Sequence, residues 1–111
     1  MPDSGAVEGS TGMPARPRLS VIIPALNEAT QLPQLLSDLA ELREQEDEII
    51  VVDGGSTDGT LQQAYGGADR VLASPAGRAR QMNAGAAVAT GDVLWFLHAD
   101  ALPEPGAAER I

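Results

Sequence analysis

Short apolar runs alternate with amphipathic segments along most of the chain. Residues 19–25 (LSVIIPA) and 48–53 (EIIVVD) are nearly continuous apolar runs, the pattern of parallel strands covered on both faces. Residues 70–74 (RVLAS) predict a weaker third strand, and residues 92–100 (DVLWFLHAD) predict a fourth, the most hydrophobic of the set. The pattern therefore predicts a sheet of four strands.

Helical patterns fill the intervals between these strands. Leucines recur at helical spacing across residues 32–42. A second helix is predicted to run from a cap at Ser56 or Thr57 to about Tyr65, and a third to cover the Ala-rich residues 77–90. Strands that alternate with helices across short connections predict an α/β fold, with an open, mainly parallel, Rossmann-like sheet and right-handed crossovers.

The two ends of the chain differ from this pattern. Residues 1–18 are rich in Gly, Pro and Ser without apolar periodicity, so we expect a disordered leader. Residues 103–111 are expected to begin another helix. The ordered domain is therefore predicted to span residues 19–111.

Composition excludes several classes of function. The 111 residues include 16 acids against seven arginines and no lysine, a net charge of -9. Such a chain lacks the basic face that nucleic acids or anionic lipids require. The absence of cysteine excludes disulfides, thiolate catalysis and cysteine-bound zinc, and it fits a cytoplasmic protein. No apolar run reaches the roughly 18 residues of a membrane-spanning segment.

Polar residues cluster where three of the predicted strands end. Asn27 and Glu28 follow the first strand, Asp53 closes the second, and His98 and Asp100 end the fourth. Because the carboxyl ends of parallel strands share one edge of a sheet, these clusters are expected to face one crevice. Helix N-termini at the same edge favour anions.

Each cluster also has a purely structural interpretation. Asn27 and Glu28 can begin a helix, Asp53 can bond backbone amides within a turn, and His98 can be a packed or capping histidine. Gly54 and Gly55 allow a ligand to approach the backbone closely, or simply a tight turn. The chain has neither G-x-G-x-x-G nor G-x-x-x-x-G-K-[ST], which argues against dehydrogenases and P-loop enzymes.

Several segments taken together resemble one enzyme family. LSVIIPALNE, EIIVVDGGSTDGT and GRARQMNAGAAVATGDVLWFLHAD, in this order, resemble the N-terminal half of family 2-type glycosyltransferases of the GT-A fold. The resemblance is strongest to a bacterial subgroup with VDGGSTDGT, GRARQMNAGA and FLHAD segments, and it covers residues 19 to about 105. It implies inverting transfer of a sugar from a nucleotide-diphospho-sugar donor to the hydroxyl of an unknown acceptor.

The resemblance also implies which residues bind the donor and the metal. Asp53 matches an acid that lies beside the base and ribose, and Asp100 matches the last acid of a D-x-D metal motif. The implied donor-binding residues are Pro24, Ala25, Asn27, Glu28, Asp53, Gly54, Arg78, Gln81, Asn83 and His98. Arg78 or Arg80 can add a charge-assisted contact to the phosphates.

Two positions depart from the family pattern. Gly54 stands where many relatives carry a second acid, and the D-x-D motif is here His98-Ala99-Asp100. One carboxylate with diphosphate oxygens and waters still satisfies Mg²⁺ or Mn²⁺. A nearby imidazole favours Mn²⁺ of the two.

Within the family, an acid in the second half deprotonates the acceptor. No residue up to Ile111 matches that general base, so this chain is expected to hold the donor-binding half and to be inactive alone. Two alternatives stay open. A sugar-nucleotide nucleotidyltransferase normally has a Gly-rich, basic loop that PALNEATQL lacks. A receiver-like regulatory module with Asp53 as phosphoacceptor normally needs a lysine late in the fold.

Overall fold

The computed structural model of the protein describes residues 17–99. The elements are β1 (Leu19–Ala25), α1 (Leu32–Leu42), β2 (Glu48–Asp53), α2 (Thr60–Tyr65), β3 (Arg70–Ala73), α3 (Arg78–Val88) and β4 (Val93–Phe96). The strands form one sheet in the order β3-β2-β1-β4, and every pairing is parallel. The predicted α/β fold with a parallel sheet is confirmed. Residues 1–16 of the predicted leader, Asp100 and the predicted helix in residues 103–111 lie outside the described residues.

Helices cover both faces of the sheet. On one face, four leucines of α1 pack with Val21, Ile23 and Val51, and Ala64 of α2 joins the same cluster. On the other face, Ala84 and Ala86 of α3 pack over a second cluster of Ile22, Ile50 and Val52. This explains why β1 and β2 read as continuous apolar runs, since successive side chains enter two different cores. None of the helices in residues 17–99 is long and apolar enough to cross a membrane.

Helix α3 lies unusually close to the sheet. Gly85 is buried at the contact, and a Cβ atom added there would lie only 2.5 Å from Cγ2 of Ile22 and 3.2 Å from Cγ2 of Val52. The neighbouring alanines have small side chains, which also allows α3 to pack closely against the sheet. The close packing brings the first turn of α3 against the carboxyl ends of β1 and β2.

The outer strands are shorter than the sequence predicts. β4 spans Val93–Phe96 instead of residues 92–100, and β3 ends at Ala73. Val93, Leu94 and Phe96 keep 39–43% of their surface exposed, because β4 is an edge strand among the described residues. The apolar run over residues 92–100 therefore overestimated the length of the fourth strand.

Helix α2 begins later than the sequence predicts. It starts at Thr60, because the candidate caps Ser56 and Thr57 are engaged with Asn27. Ser56 Oγ accepts a hydrogen bond from the Asn27 amide, and the Thr57 amide donates to Asn27 Oδ1. Bonds between two loops have replaced the local cap.

A hydrogen-bond network closes the amino edge of the sheet around Glu48. Its Oε2 accepts from Ser20 Oγ at 2.6 Å and from the amide and hydroxyl of Thr90 at 2.6 and 2.9 Å, while Arg70 Nε donates to Oε1 at 3.2 Å. Burial alone raises the pKa of the Glu48 carboxyl. The hydrogen bonds from Ser20, Thr90 and Arg70 together outweigh burial and lower this pKa to about 2. The network joins β1, β2 and β3 to the connection between α3 and β4.

We expect Glu48→Gln to destabilise the chain by about 1–3 kcal/mol at pH 7, because an amide cannot accept all of these bonds. Since the folded-state pKa lies below its ordinary value of 4.5, the stabilisation is present above about pH 5 and is lost as pH falls towards 2. The difference between wild type and variant should therefore shrink over this range in urea unfolding followed by circular dichroism. Glu41→Gln, on the exposed side of α1, is the control. A difference that does not change with pH would contradict the assignment.

Candidate functional site

An open cavity of about 290 Å³ lies at the carboxyl edge of the sheet. Three segments line it: the end of β1 with the turn after it, the start of α3, and the residues after β4. The lining residues are Pro24, Ala25, Leu26, Glu28, Gly77, Arg78, Gln81, His98 and Ala99. Six of the ten predicted donor-binding residues are therefore found around one cavity.

Three lining residues were not predicted from the sequence. Leu26 lies between predicted residues, and Ala99 lies beside the predicted His98. Gly77 has a φ of 132°, a backbone conformation that favours glycine, and it is the N-cap of α3. A glycine directly before an arginine-rich helix start was a sequence signal for this position.

Asn27 connects two loops instead of lining the cavity. It has a positive φ of 53°, and its Oδ1 accepts the Thr57 amide at 2.8 Å while its own amide donates to Ser56 Oγ at 2.9 Å. The next amide, that of Glu28, donates to Thr60 Oγ1 at 2.7 Å. These bonds hold the turn after β1 so that Glu28 reaches the cavity. The donor-binding role of Asn27 itself stays a prediction.

The same loops contain a polar pair that the sequence reasoning did not single out. Asp58 accepts hydrogen bonds from the amide and hydroxyl of Thr60 and, at 3.3 Å, from the amide of Ala29. The hydroxyl of Thr60 is the main cause that lowers the pKa of the Asp58 carboxyl, and partial desolvation opposes it. Thr60 is fully buried. In the sequence, an acid two residues before a threonine was the feature that could have indicated this pair.

Asp53 is buried beside the cavity with one carboxylate oxygen unused. Its Oδ2 accepts the amides of Gly55 and Ser56 at 3.1 Å each, as the turn interpretation anticipates. Its Oδ1 has no hydrogen-bond donor among residues 17–99, although the residue is only 5% exposed. Asp53 pairs in register with Ala25, which lines the cavity. A buried oxygen without a donor is costly, and a ligand that donates a hydrogen bond would relieve that cost.

Helix α3 presents its N-terminus and one arginine to the cavity. Gly77 provides no side-chain cap, so the first amides of the helix are available to an anion. Among the described residues, Arg78 is the only arginine that lines the cavity, whereas Arg80 is exposed and lies outside the lining. Asn83 is also exposed and does not line the cavity, so its donor-binding role stays a prediction.

Gln81 reaches from α3 to the ends of both central strands. Its Nε2 donates to the carbonyl oxygens of Ala25 and Val52, at 3.0 and 2.9 Å, and its Oε1 accepts the Gly77 amide at 3.3 Å. Gly54 packs against this amide and is buried without lining the cavity.

Residues that can ligate a cation meet at the cavity, although the predicted ligand Asp100 lies outside the described residues. Glu28 follows β1 and His98 follows β4, and both line the cavity. Residues 17–99 contain no group of three or more His, Cys, Asp or Glu side chains that could hold a metal ion. The residues present fit a divalent cation only with a further ligand, and Asp100 follows His98 by two positions.

Known proteins share both the sequence and the fold of this chain. The family model described as glycosyl transferase family 2 matches residues 20–111. A "PGL/p-HBAD biosynthesis glycosyltransferase" of Mycobacterium tuberculosis is 41% identical over 93 residues, covering 78% of this chain and 36% of the relative. An uncharacterized glycosyltransferase of Nostoc is 33% identical over 101 residues, covering 85% and 31%.

Solved structures of glucosyl-3-phosphoglycerate synthase from Mycobacterium tuberculosis also match. The complex with Mn²⁺, UDP and glucosyl-3-phosphoglycerate has a TM-score of 0.70 at 29% identity, covering 82% of this chain and 37% of that one. The complex with Mg²⁺ and UDP has a TM-score of 0.70 at 29% identity, covering 82% and 36%. The predicted GT-A architecture is confirmed by these neighbours.

The chain spans only about a third of the length of the relatives that it matches. The family model nevertheless covers all of the described sheet and helices apart from the first residue of β1. The match confirms the resemblance to family 2-type glycosyltransferases. The chain therefore belongs to glycosyl transferase family 2.

Proposed function

We propose that the cavity at the carboxyl edge is the donor site of a glycosyltransferase and binds a nucleotide-diphospho-sugar. The whole protein would transfer the sugar to an acceptor hydroxyl with inversion. The observation that carries this proposal is the cavity itself, which gathers six of the implied donor-binding residues from three separate segments. Family membership supports the same reaction class.

The diphosphate is proposed to lie against the first turn of α3. Its charge needs specific partners, because the chain has a net charge of -9. The uncapped amides after Gly77 and the guanidinium of Arg78 provide them at one end of the cavity. His98 and Glu28 lie around the same space, so the phosphates would enter a site that already contains a carboxylate.

The nucleoside is proposed to lie towards the end of β2. There Asp53 Oδ1 is buried without a donor, and a ribose hydroxyl or base N–H would supply the missing hydrogen bond. The same burial disfavours the receiver-like alternative. A phosphoacceptor must be open to its phosphodonor, whereas Asp53 is 5% exposed and its Oδ2 holds two backbone amides.

A divalent cation is proposed to accompany the donor. Asp100, with His98 two residues before it, would hold the ion next to the cavity. When bound, a divalent cation stabilises the negative charge that develops on the departing nucleoside diphosphate. Structural neighbours that were solved with UDP and either Mn²⁺ or Mg²⁺ support both the nucleotide class and the ion.

Calorimetric titration of the 111-residue chain with UDP tests this proposal. UDP with Mn²⁺ is expected to bind and to raise the melting temperature by mass action. Asp100→Ala should weaken Mn²⁺-dependent binding by at least about tenfold, because charged ligand contacts contribute about 1.5–3 kcal/mol. Asp38→Ala, on α1 and away from the cavity, is the control.

The outcomes separate the two parts of the proposal. No binding of UDP by the wild-type chain, with or without Mn²⁺, would contradict the donor site. Equal affinity of wild type and Asp100→Ala would contradict the metal assignment alone.

A further inference from the structure

We propose that Gln81 is a positioning residue of the cavity and that Gly54 is the glycine that Gln81 requires. Gln81 sets the spacing between the ends of β1 and β2 and the first turn of α3. Its side chain does not donate a hydrogen bond to the nucleotide. The functional part of this inference rests on the proposed donor site, whereas the coupling of the two residues does not.

The hydrogen bonds of Gln81 make it a bridge between three segments. Gln81 is 4% exposed, and the two N–H groups of its side-chain amide both donate hydrogen bonds to carbonyl oxygens at strand ends, those of Ala25 and Val52. A neutral amide nitrogen has no further hydrogen to offer a ligand. The remaining bond, from the Gly77 amide to Oε1, ties the same side chain to the N-cap of α3. Gln81 therefore contributes to the cavity through the residues that it holds.

This bridge determines where the first turn of α3 lies. Gly77 and Arg78 both line the cavity, and the helix begins directly after the residue that Gln81 holds. Ala25 is held from two sides, because its carbonyl also accepts the Gly54 amide at 2.9 Å. Loss of the bridge would release the strand end and the N-terminus of α3 from each other.

Gly54 fits this arrangement because a side chain at position 54 would occupy the space that the Gln81 amide fills. A Cβ atom at position 54 would lie 2.8 Å from Cδ and Oε1 of Gln81 and 3.0 Å from Nε2. Real Cβ atoms do not approach so closely, so one of the two must move. The amide cannot swing away freely, since its three hydrogen bonds hold it in place. Alanine at position 54 would therefore break the bridge.

A double-mutant cycle on thermal stability tests the coupling directly. Gly54→Ala alone should lower the melting temperature by about 5 °C or more, whereas in a Gln81→Ala background it should change it by less than about 2 °C. Gly59→Ala is the matched control, because the nearest atom to its Cβ is 3.8 Å away and belongs to Ala29. Its effect should be the same in both backgrounds. Equal effects of Gly54→Ala in both backgrounds would overturn the inference.

A second variant keeps the test decisive if Gly54→Ala fails to fold. Gln81→Met preserves length and apolar volume but removes the amide, and Gln62→Met on the exposed side of α2 is its control. Hydrogen exchange followed by NMR should show the Gly77 amide exchanging at least about tenfold faster in Gln81→Met only. An unchanged exchange rate would overturn the bridge.

Titration of the same variants with UDP and Mn²⁺ separates positioning from simple stability. Gln81→Met should weaken binding at least about fivefold at a temperature where it remains folded, while Gln62→Met should not. Unchanged affinity would overturn the positioning role. If the wild-type chain binds no UDP, the proposed donor site fails, while the cycle and the exchange rate still decide the bridge.

Discussion

Replacing Arg78 with alanine is expected to weaken binding of UDP and Mn²⁺ by about 10- to 100-fold. Arg78 is the only arginine of residues 17–99 that lines the cavity, and the chain has no lysine to replace it. A charge-assisted bond between guanidinium and phosphate contributes about 1.5–3 kcal/mol. Isothermal titration calorimetry measures the loss, and the salt dependence of binding should fall with it.

Arg80→Ala is the matched comparison for this prediction. It removes the same charge from the same helix, two residues further on, but Arg80 is exposed and outside the cavity lining. Its affinity should stay within about twofold of wild type, the size of a screened long-range charge effect. Equal losses in the two variants would mean that net charge, not the position of Arg78, governs binding. The resemblance implied Arg78 as a donor-binding residue but left open which of the two arginines contacts the phosphates.

Gly85→Ala is expected to destabilise the fold by about 2 kcal/mol, although alanine is the better helix former. At an open helical site the change would stabilise by about 1 kcal/mol. Here the new Cβ would meet Cγ2 of Ile22 at 2.5 Å and Cγ2 of Val52 at 3.2 Å, and both are β-branched side chains on buried strands. Because such side chains are stiff, α3 must move away from the sheet.

Ala87→Gly provides the control for this effect. Ala87 is exposed on the same helix, so the substitution reports helix propensity alone and should cost about 1 kcal/mol. Urea unfolding should show a lower free energy of unfolding for both variants. The cause is steric overlap in Gly85→Ala and weaker helix propensity in Ala87→Gly. A gain in stability for Gly85→Ala would mean that α3 does not pack as closely as described.

The cavity depends on residues that hold its walls as well as on those that face it. Asn27 joins the loops after β1 and β2, and Gln81 joins both strand ends to α3. Both had been implied as donor-binding residues. Asn27 Oδ1 and both ends of the Gln81 side-chain amide already bond within the protein, and the donor-binding role of both residues stays a prediction. Asp53 differs from them, because one of its carboxylate oxygens still lacks a donor.

The two central strands, which have strong local patterns, were predicted to the residue. The bounds of β1 and β2 agree with their apolar runs, and α1 covers its leucine pattern. Burial on both faces of a sheet, or on one face of a helix, produces a local periodicity of apolar residues that the sequence shows directly. The start of α2 and the length of β4 were predicted less well. Both depend on distant partners, Asn27 for the first and the pairing with β1 for the second.

By itself, the sequence determined the α/β alternation, the family and the sheet edge at which polar residues collect, since each of these follows from local pattern and motif. Only the tertiary structure decided that Arg78 and not Arg80 lines the cavity, and that Gln81 fits because position 54 has no side chain. The position that a side chain takes depends on the distance between helices and strand ends. That distance is set by packing between residues such as Gly85 and Ile22, which are 63 positions apart in the chain.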